Sequence, residues 1–467
     1  MTGIPFLLVF ILAVALMIVM ISRWKIHPFL SIMAVAFVLG IIGGIPLVKS
    51  TGAEGEEPAK GIADVIGEGF SAIFTSIGIV IILGTLIGLI LERTGGAFRI
   101  ADALVRVVGK RYPVLAMQLM GWVVSIPVFC DSGFVILNPI RKALARRTGA
   151  SPVAMTVALA AGLYTSHVFI PPTPGPIAAA QNLGIGDHLL LVIGLGVLVS
   201  IPALLVAYLY ALYIGKRVTA PEEIGTEDAD ELEAAYDALR RSYGRMPGTA
   251  ASFAPIIAPI LLMALGSLAS VLKWTGPAGD FARFLGTPMI ALAVGTLCAV
   301  GVLFSVRRGE TFYDLTEETL RVVGPILFIT AAGGVLGRVI AATDLVTFIE
   351  SNAAQLSVIG LFFPFLVSAV LKTAQGSSTV ALTTTSAMVF PMMPALGFET
   401  PVASALVVMA IAAGAMTVSH ANDSYFWVVT NFSGMTPSQG YRTQTMVTLL
   451  MGLTSIVFIW ILGLVLV

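Results

Sequence analysis

Residues 113–140 read PVLAMQLMGWVVSIPVFCDSGFVILNPI, set between GKRY (109–112) and RKALARR (141–147). The stretch is mostly apolar, yet it carries FCDSGF (129–134) at its middle and basic residues at both ends. Lys and Arg in short loops keep the ends of membrane segments in the cytoplasm. A single span would carry one of the two basic loops across the bilayer. Two full spans need roughly 40 residues, more than 113–140 supplies. A re-entrant hairpin meets both constraints. The chain enters from the cytoplasm, turns near mid-membrane at Pro127 to Gly133, and returns. Irregular backbone at that depth is tolerated only where it is buried in protein or lines a watery cavity.

The rest of the chain has the same character. Of 467 residues, 57% are hydrophobic and 11% charged, less than half the charge of an average soluble domain. Apolar runs of about 20 residues recur along the length, as bilayer-spanning helices require. The fold class is an all-α polytopic membrane protein. Lys and Arg number 26, as do Asp and Glu, and this balance gives no reason to expect nucleic acid as a partner. Cys130 and Cys298 both lie in apolar segments, so no disulfide framework is expected. The first apolar run has no basic region before it and no A-x-A site after it, and reads as a span rather than a cleaved signal.

Spans are expected near 5–22, 29–48, 70–91, 152–182 (broken), 189–214, 251–272, 286–305, 318–340, 401–433 (broken) and 443–467. The basic loops at 23–27, 106–113, 141–147, 215–218, 240–245 and 307–308 belong in the cytoplasm, and the acidic loop 49–68 outside. The long polar segment 216–250 reads as a solvated cytoplasmic linker, with a charged surface helix within it. It divides the chain into 1–215 and 251–467.

The two parts repeat one another. IGIVIILGTLIGLILERTG (77–95) and VGPILFITAAGGVLGRVIAATD (323–344) are glycine-punctuated apolar helices ending in charge. CDSGFVIL (130–137) and GSSTVALT (376–383) are small polar breaks in apolar runs. TSHVFIPPTPGP (165–176) and VSHANDSYFWVV (418–429) each interrupt a long apolar segment just after Ser-His. Counting loops by charge makes 70–91 run inward and 318–340 outward, so the repeats are inverted, each with about five spans and one hairpin. The second hairpin is expected over 355–395, with its tip at TAQGSS. Inverted repeats with broken helices form secondary transporters, with the binding site at mid-membrane where the breaks meet.

The chemistry-bearing residues sit at these breaks. Asp131 is a carboxylate inside the membrane and marks a functional site by default. Three roles stay open for it: proton carrier, sodium ligand, or cap of the helix behind it. Ser132 and Gly133 share its tip. At the second tip, Gly376 frees the backbone, Gln375, Ser377, Ser378 and Thr379 supply polar groups, and a helix starting there turns N–H groups toward an anion. Lys372 pairs with substrate, with Asp131 or with Asp423, or else snorkels to the surface. Pro171, Pro172, Pro174 and Pro176 forbid a regular helix and place His167 at a break, as a proton relay or a structural histidine. In SHANDSYFW (419–427), His420, Asn422, Asp423 and Ser424 offer hydroxyl-binding groups and a second proton carrier, or a turn network holding the break. Asn182 is a further hydroxyl-binding candidate. Glu92 and Arg93 read as an interfacial pair. The sequence has no H-x-x-H, H-E-x-x-H or G-x-S-x-G spacing, so no metal or cofactor is expected.

Five segments then carry a resemblance: GTLIGLILERTGGAFRIA (84–101), IPVFCDSGFVIL (126–137), HVFIPPTPGPIAAAQNLG (167–184), LKTAQGSSTVALTTTSAM (371–388) and MTVSHANDSYFWVV (416–429). They resemble the signature segments of the gluconate permease family of proton symporters, over nearly the whole chain. The resemblance implies uptake of gluconate or a related small acid across the inner membrane with a proton. It also implies a scaffold domain, a moving transport domain and a homodimer. Other small acids such as D-serine or glycerate, sodium coupling, an intramembrane enzyme using His420 and Asp423, and a passive channel are the alternatives. Two mirrored breaks argue against the last two.

Overall fold

The computed structural model describes residues 3–49, 60–108, 112–219, 241, 243–306, 311–343, 360–394, 396–421 and 423–467. Half of the acidic loop 49–68, most of the linker 216–250, the ends of the expected second hairpin, and Asn422 lie outside the described residues. Everything regular among the described residues is helical.

The first part contains α1 (Gly3–Ser22), α2 (Pro28–Ile42), α3 (Ile62–Arg93), α4 (Gly96–Val108), α5 (Pro113–Val124), α6 (Cys130–Thr148), α7 (Pro152–Phe169), α8 (Pro174–Asn182) and α9 (Leu189–Ile214). The second contains α10 (Thr249–Val271), α11 (Pro277–Gly286), α12 (Pro288–Val306), α13 (Phe312–Ala341), α14 (Phe362–Gln375), α15 (Ser378–Val389), α16 (Pro401–Met416), α17 (Ser424–Phe432) and α18 (Met446–Leu466), the last preceded by a π-helical turn, Tyr441–Thr445. Six described helical segments are long and apolar enough to cross a membrane, or seven if the bent pair α3–α4 counts as one.

Two helices form the centre. Every residue of α7 from Val153 to Phe169 is buried, as is every residue of α16 from Ala403 to Met416. Both are rich in Ala and Gly, which let helix backbones approach where lipid offers no hydrophobic drive between helices. A Cβ on Gly162 of α7 would overlap the Gln118 carbonyl of α5, and one on Gly414 of α16 would overlap the Phe365 carbonyl of α14. Thus α5 lies against α7, and α14 against α16, at backbone contact. At 12 and 14 residues, α5 and α14 are about 18 and 21 Å long, too short to cross a core of roughly 30 Å.

The helix breaks fall where Pro, Gly and polar residues put them. Helix α5 stops at Val124, and α6 restarts at Cys130. Between α7 and α8 the chain passes through Pro171 and Pro172, joined by a cis peptide bond. Helix α14 ends on Gly376, whose φ of 87° is left-handed and suits glycine. Helix α17 follows the break at 417–423.

Helices α3 and α13 pack along one another and are tied at both ends by ion pairs. Arg93 meets Glu318 at 2.5 Å, and Arg338 meets Glu68 at 3.0 Å. Glu68 and Arg93 stand about 25 residues apart, roughly 38 Å of helix, close to the thickness of a bilayer with its headgroups. Lys60 also reaches Glu68, at 2.6 Å. The hydrogen bonds from Lys60 and Arg338 hold the Glu68 carboxyl below its ordinary range. Asp314, in a capping box with Thr311 at the start of α13, is held low in the same way.

Three expectations change. The second span is shorter than 29–48, because α2 stops at Ile42 before Gly43 and Gly44. The amphipathic helices α4 and α11 were not expected; α4 turns 74° away from α3 at Thr94–Gly95. Arg93 pairs with Glu318 rather than with Glu92, whose side chain lies near Ser132.

Candidate functional site

The breaks enclose a cavity of about 280 Å³, lined by Phe129, Cys130, Asp131, Tyr164, His167, Gln375, Gly376, Ser377, Ser378, Thr379, Asp423, Ser424 and Tyr425. Its walls are the starts of three helices, α6, α15 and α17, and the last turns of α7. The first N–H groups of a helix lack intrahelical partners and carry the positive end of its dipole. The cavity is therefore ringed by three potential anion sites.

Each start is furnished differently. At α17, Asp423 is the N-cap; its carboxylate accepts from the Tyr425 N–H at 3.1 Å, the Ser419 hydroxyl at 2.5 Å and the Lys372 ammonium at 2.6 Å. At α6, the N-cap is Phe129 and Asp131 sits within the first turn. Asp131 therefore does not take the capping position. One of its oxygens accepts from the Ser424 hydroxyl at 3.3 Å, and the Cys130 thiol lies 3.8 Å from the other. No cation pairs with it among the described residues. At α15, Ser377 is the N-cap, its hydroxyl accepting from the Val380 N–H at 3.3 Å. The α15 start carries no carboxylate.

Lys372 is 1% exposed, so it does not snorkel. Its ammonium donates to Asp423 and to the Gly376 carbonyl, each at 2.6 Å. One buried cation thus joins the end of α14, its glycine cap and the start of α17. Of the partners the sequence left open, Asp423 is the one bonded. The first part has neutral counterparts. The Ser125 hydroxyl donates to the Val128 carbonyl at 2.8 Å across the α5–α6 break. The Thr173 hydroxyl lies 2.9 Å from the His167 carbonyl and 2.8 Å from that of Ile170.

Two tyrosines brace the cavity across the two parts. Tyr425 on α17 donates to the Ala160 carbonyl of α7 at 2.9 Å, and Tyr164 on α7 to the Ala415 carbonyl of α16 at 3.4 Å. Their rings lie 5.2 Å apart. Neither was singled out from sequence, nor were Phe129 and Cys130, because an aromatic or a cysteine in an apolar helix gives no local signal of a cavity.

Of the predicted site residues, Asp131, His167, Gln375, Gly376, Ser377, Ser378, Thr379, Asp423 and Ser424 line the one cavity. Others do not. Ser132 turns to Glu92 on α3. Gly133 packs against Leu163. The Asn182 amide donates to the Thr383 carbonyl at 3.0 Å and the Ser386 hydroxyl at 2.9 Å, joining α8 to α15. A His420 ring nitrogen lies 3.0 Å from the Thr373 carbonyl, outside the cavity wall. Lys372 stands behind the wall. Among the described residues, no cluster of three or more His, Cys, Asp or Glu is placed to hold a metal ion.

Comparison with known proteins gives this architecture its relatives. The inner membrane permease YgbN of Escherichia coli is 29% identical over 98% of this chain and 99% of its own. A gluconate permease of Zymomonas mobilis is 31% identical over 95% and 94%. The solved structure of MtrF from Neisseria gonorrhoeae, one of a class of antimetabolite efflux pumps, superposes with a TM-score of 0.65 at 15% identity, over 95% of this chain and 96% of that one. That likeness shows a shared transporter fold alone. Residues 5–465 match the family described as GntP family permeases. The chain, a multi-pass membrane protein and a transporter rather than an enzyme, belongs to the GntP permease family.

Proposed function

We propose that the protein is a proton-coupled symporter that takes up gluconate, or a related small hydroxy-carboxylate, across the cell's inner membrane. One observation carries this reading: of the three helix starts around the cavity, two hold an aspartate and α15 holds only Ser377, Ser378 and Thr379. Its N–H groups and hydroxyls are the place for a substrate carboxylate. Asp131 faces the same cavity with no cation of its own. Two anions in one low-dielectric cavity repel, so the substrate binds best when Asp131 is protonated. That couples one proton to one carboxylate. Asp423 is the poorer carrier, since its carboxylate is already bonded to the Lys372 ammonium, the Ser419 hydroxyl and the Tyr425 N–H. The Gln375 amide oxygen and the Ser424 hydroxyl oxygen, which the internal bonds leave as acceptors, would take substrate hydroxyls. The name of the Zymomonas relative supports gluconate, and that of YgbN supports the inner membrane.

Alternating access completes the proposal. Each part runs in the same order: short helix, break, helix, buried helix, break, short helix, long helix (α5–α9 and α14–α18). This order supports two inverted repeats, 1–215 and 251–467, with α5–α6 and α14–α15 as opposed re-entrant hairpins. The basic loops support a cytoplasmic linker at 216–250, and the family resemblance supports a homodimer.

The test is uptake of labelled gluconate into proteoliposomes, with an inward proton or sodium gradient, against unlabelled D-serine and glycerate. Acid outside should drive accumulation, and Asp131→Asn should abolish the pH-driven part. Accumulation that follows sodium and ignores pH overturns proton coupling. No uptake of gluconate and no competition by it overturns the substrate.

A further inference from the structure

The fold buries His167 and, among the described residues, gives its side chain no polar partner. It is 6% exposed, and its Nδ1 atom is buried without a hydrogen bond. The ring is held in place by its neighbours. Tyr164 lies parallel to it, 6.5 Å between centroids at 12°, and Phe129 lies 5.9 Å away at 50°. All three line the cavity. The backbone is fixed too, since the His167 carbonyl accepts from the Thr173 hydroxyl across the proline break. The imidazole therefore has a set position at the wall.

Several other polar groups of the wall already bond within the protein. The Ser377 hydroxyl holds the Val380 N–H at 3.3 Å, and the Gln375 amide donates to the Ser377 carbonyl at 3.1 Å. Ser424 is taken by Asp131, and Asp423 by Lys372 and Ser419. Proteins leave few buried polar atoms unsatisfied, and this imidazole belongs to the wall of a cavity sized for a small molecule.

The geometry points to His167 as a specificity-determining residue whose imidazole hydrogen-bonds a hydroxyl of the transported acid, selecting hydroxy-acids over their deoxy counterparts. The inference rests on the reading that this cavity takes a small carboxylate. The α15 start is the place for the anionic end, so His167 meets another part of the molecule. A hydroxyl both donates and accepts and suits either tautomer of a neutral imidazole. A methylene in its place leaves the imidazole unpaired.

The test pairs changes in ligand and protein, so that only their coupling counts. Equilibrium binding of labelled gluconate to the full-length protein in detergent is competed by gluconates lacking a single hydroxyl at C2, C3, C4 or C5. In the wild type, one analogue should bind about tenfold more weakly than gluconate, as loss of one hydrogen bond predicts. In His167→Phe, which keeps a flat ring between Tyr164 and Phe129, that difference should shrink to within about twofold. His167→Leu is the second variant should the first not fold. Unchanged discrimination in either variant overturns the inference. So does a wild type to which every deoxy analogue binds as well as gluconate, the result expected if the imidazole bonds only water. A wild type that binds neither gluconate nor any analogue overturns the proposed function instead, and this inference with it.

Discussion

Lys372→Met tests how the second break is held. The substitution removes the one cation beside Asp423, where both side chains are almost fully buried. A buried charge left without its partner costs about 3–5 kcal/mol. Asp423→Asn strands Lys372 in the same way and should cost a similar amount. The double variant removes both charges of the pair. Asparagine still caps α17, and the main loss is the ammonium bond to the Gly376 carbonyl, about 1 kcal/mol net. The double variant should thus fall short of the summed single losses by roughly 5–9 kcal/mol. Thermal midpoints and denaturant titrations in detergent measure this. The double variant should melt above either single one. Additive losses, or a Lys372→Met protein as stable as the wild type, would refute the claim that this pair holds the break.

Gly162→Val should destabilise by about 1–3 kcal/mol or more, because its first added carbon meets the Gln118 carbonyl; Gly301→Ala, with open space around it, is the control and should move the thermal midpoint little. Near the start of α3, Lys60 and Arg338 lower the Glu68 pKa, so the stability they add is present above the ordinary carboxylate range and is lost as pH falls through the lowered value. The thermal midpoint should therefore drop as pH falls below about 4 more steeply in wild type than in Glu68→Gln, and equal slopes would count against the cluster.

The sequence displayed most of the scaffold and only part of the site. The four breaks were legible because Pro, Gly and small polar residues interrupt apolar runs at each, and each break is local chemistry. Helices α4 and α11 were not, since a short amphipathic helix produces no hydropathy peak of spanning length. At the site, motif reading groups neighbours that the helix then separates. Successive residues turn about 100° around the axis, so Asp131 faces the cavity while Ser132 faces Glu92. The partner of Lys372 could not be chosen from sequence, because Asp423 reaches it from 51 residues away. Tyr164 and Tyr425 were invisible for the same reason: their hydroxyls bond carbonyls of distant helices.

The same separation has a consequence for how the chain is made. Lys372 leaves the ribosome well before Asp423, and a lone charge at the centre of a helix costs about 2.5–3.5 kcal/mol to place in a membrane. The short helix α14 gains too little from its own apolar residues to settle alone with that burden. Insertion of α14 is therefore helped once α17 follows it, so that the two charges are buried as a pair. The first part closes its breaks with the neutral Ser125 and Thr173 and meets the cost of a lone charge at Asp131 instead.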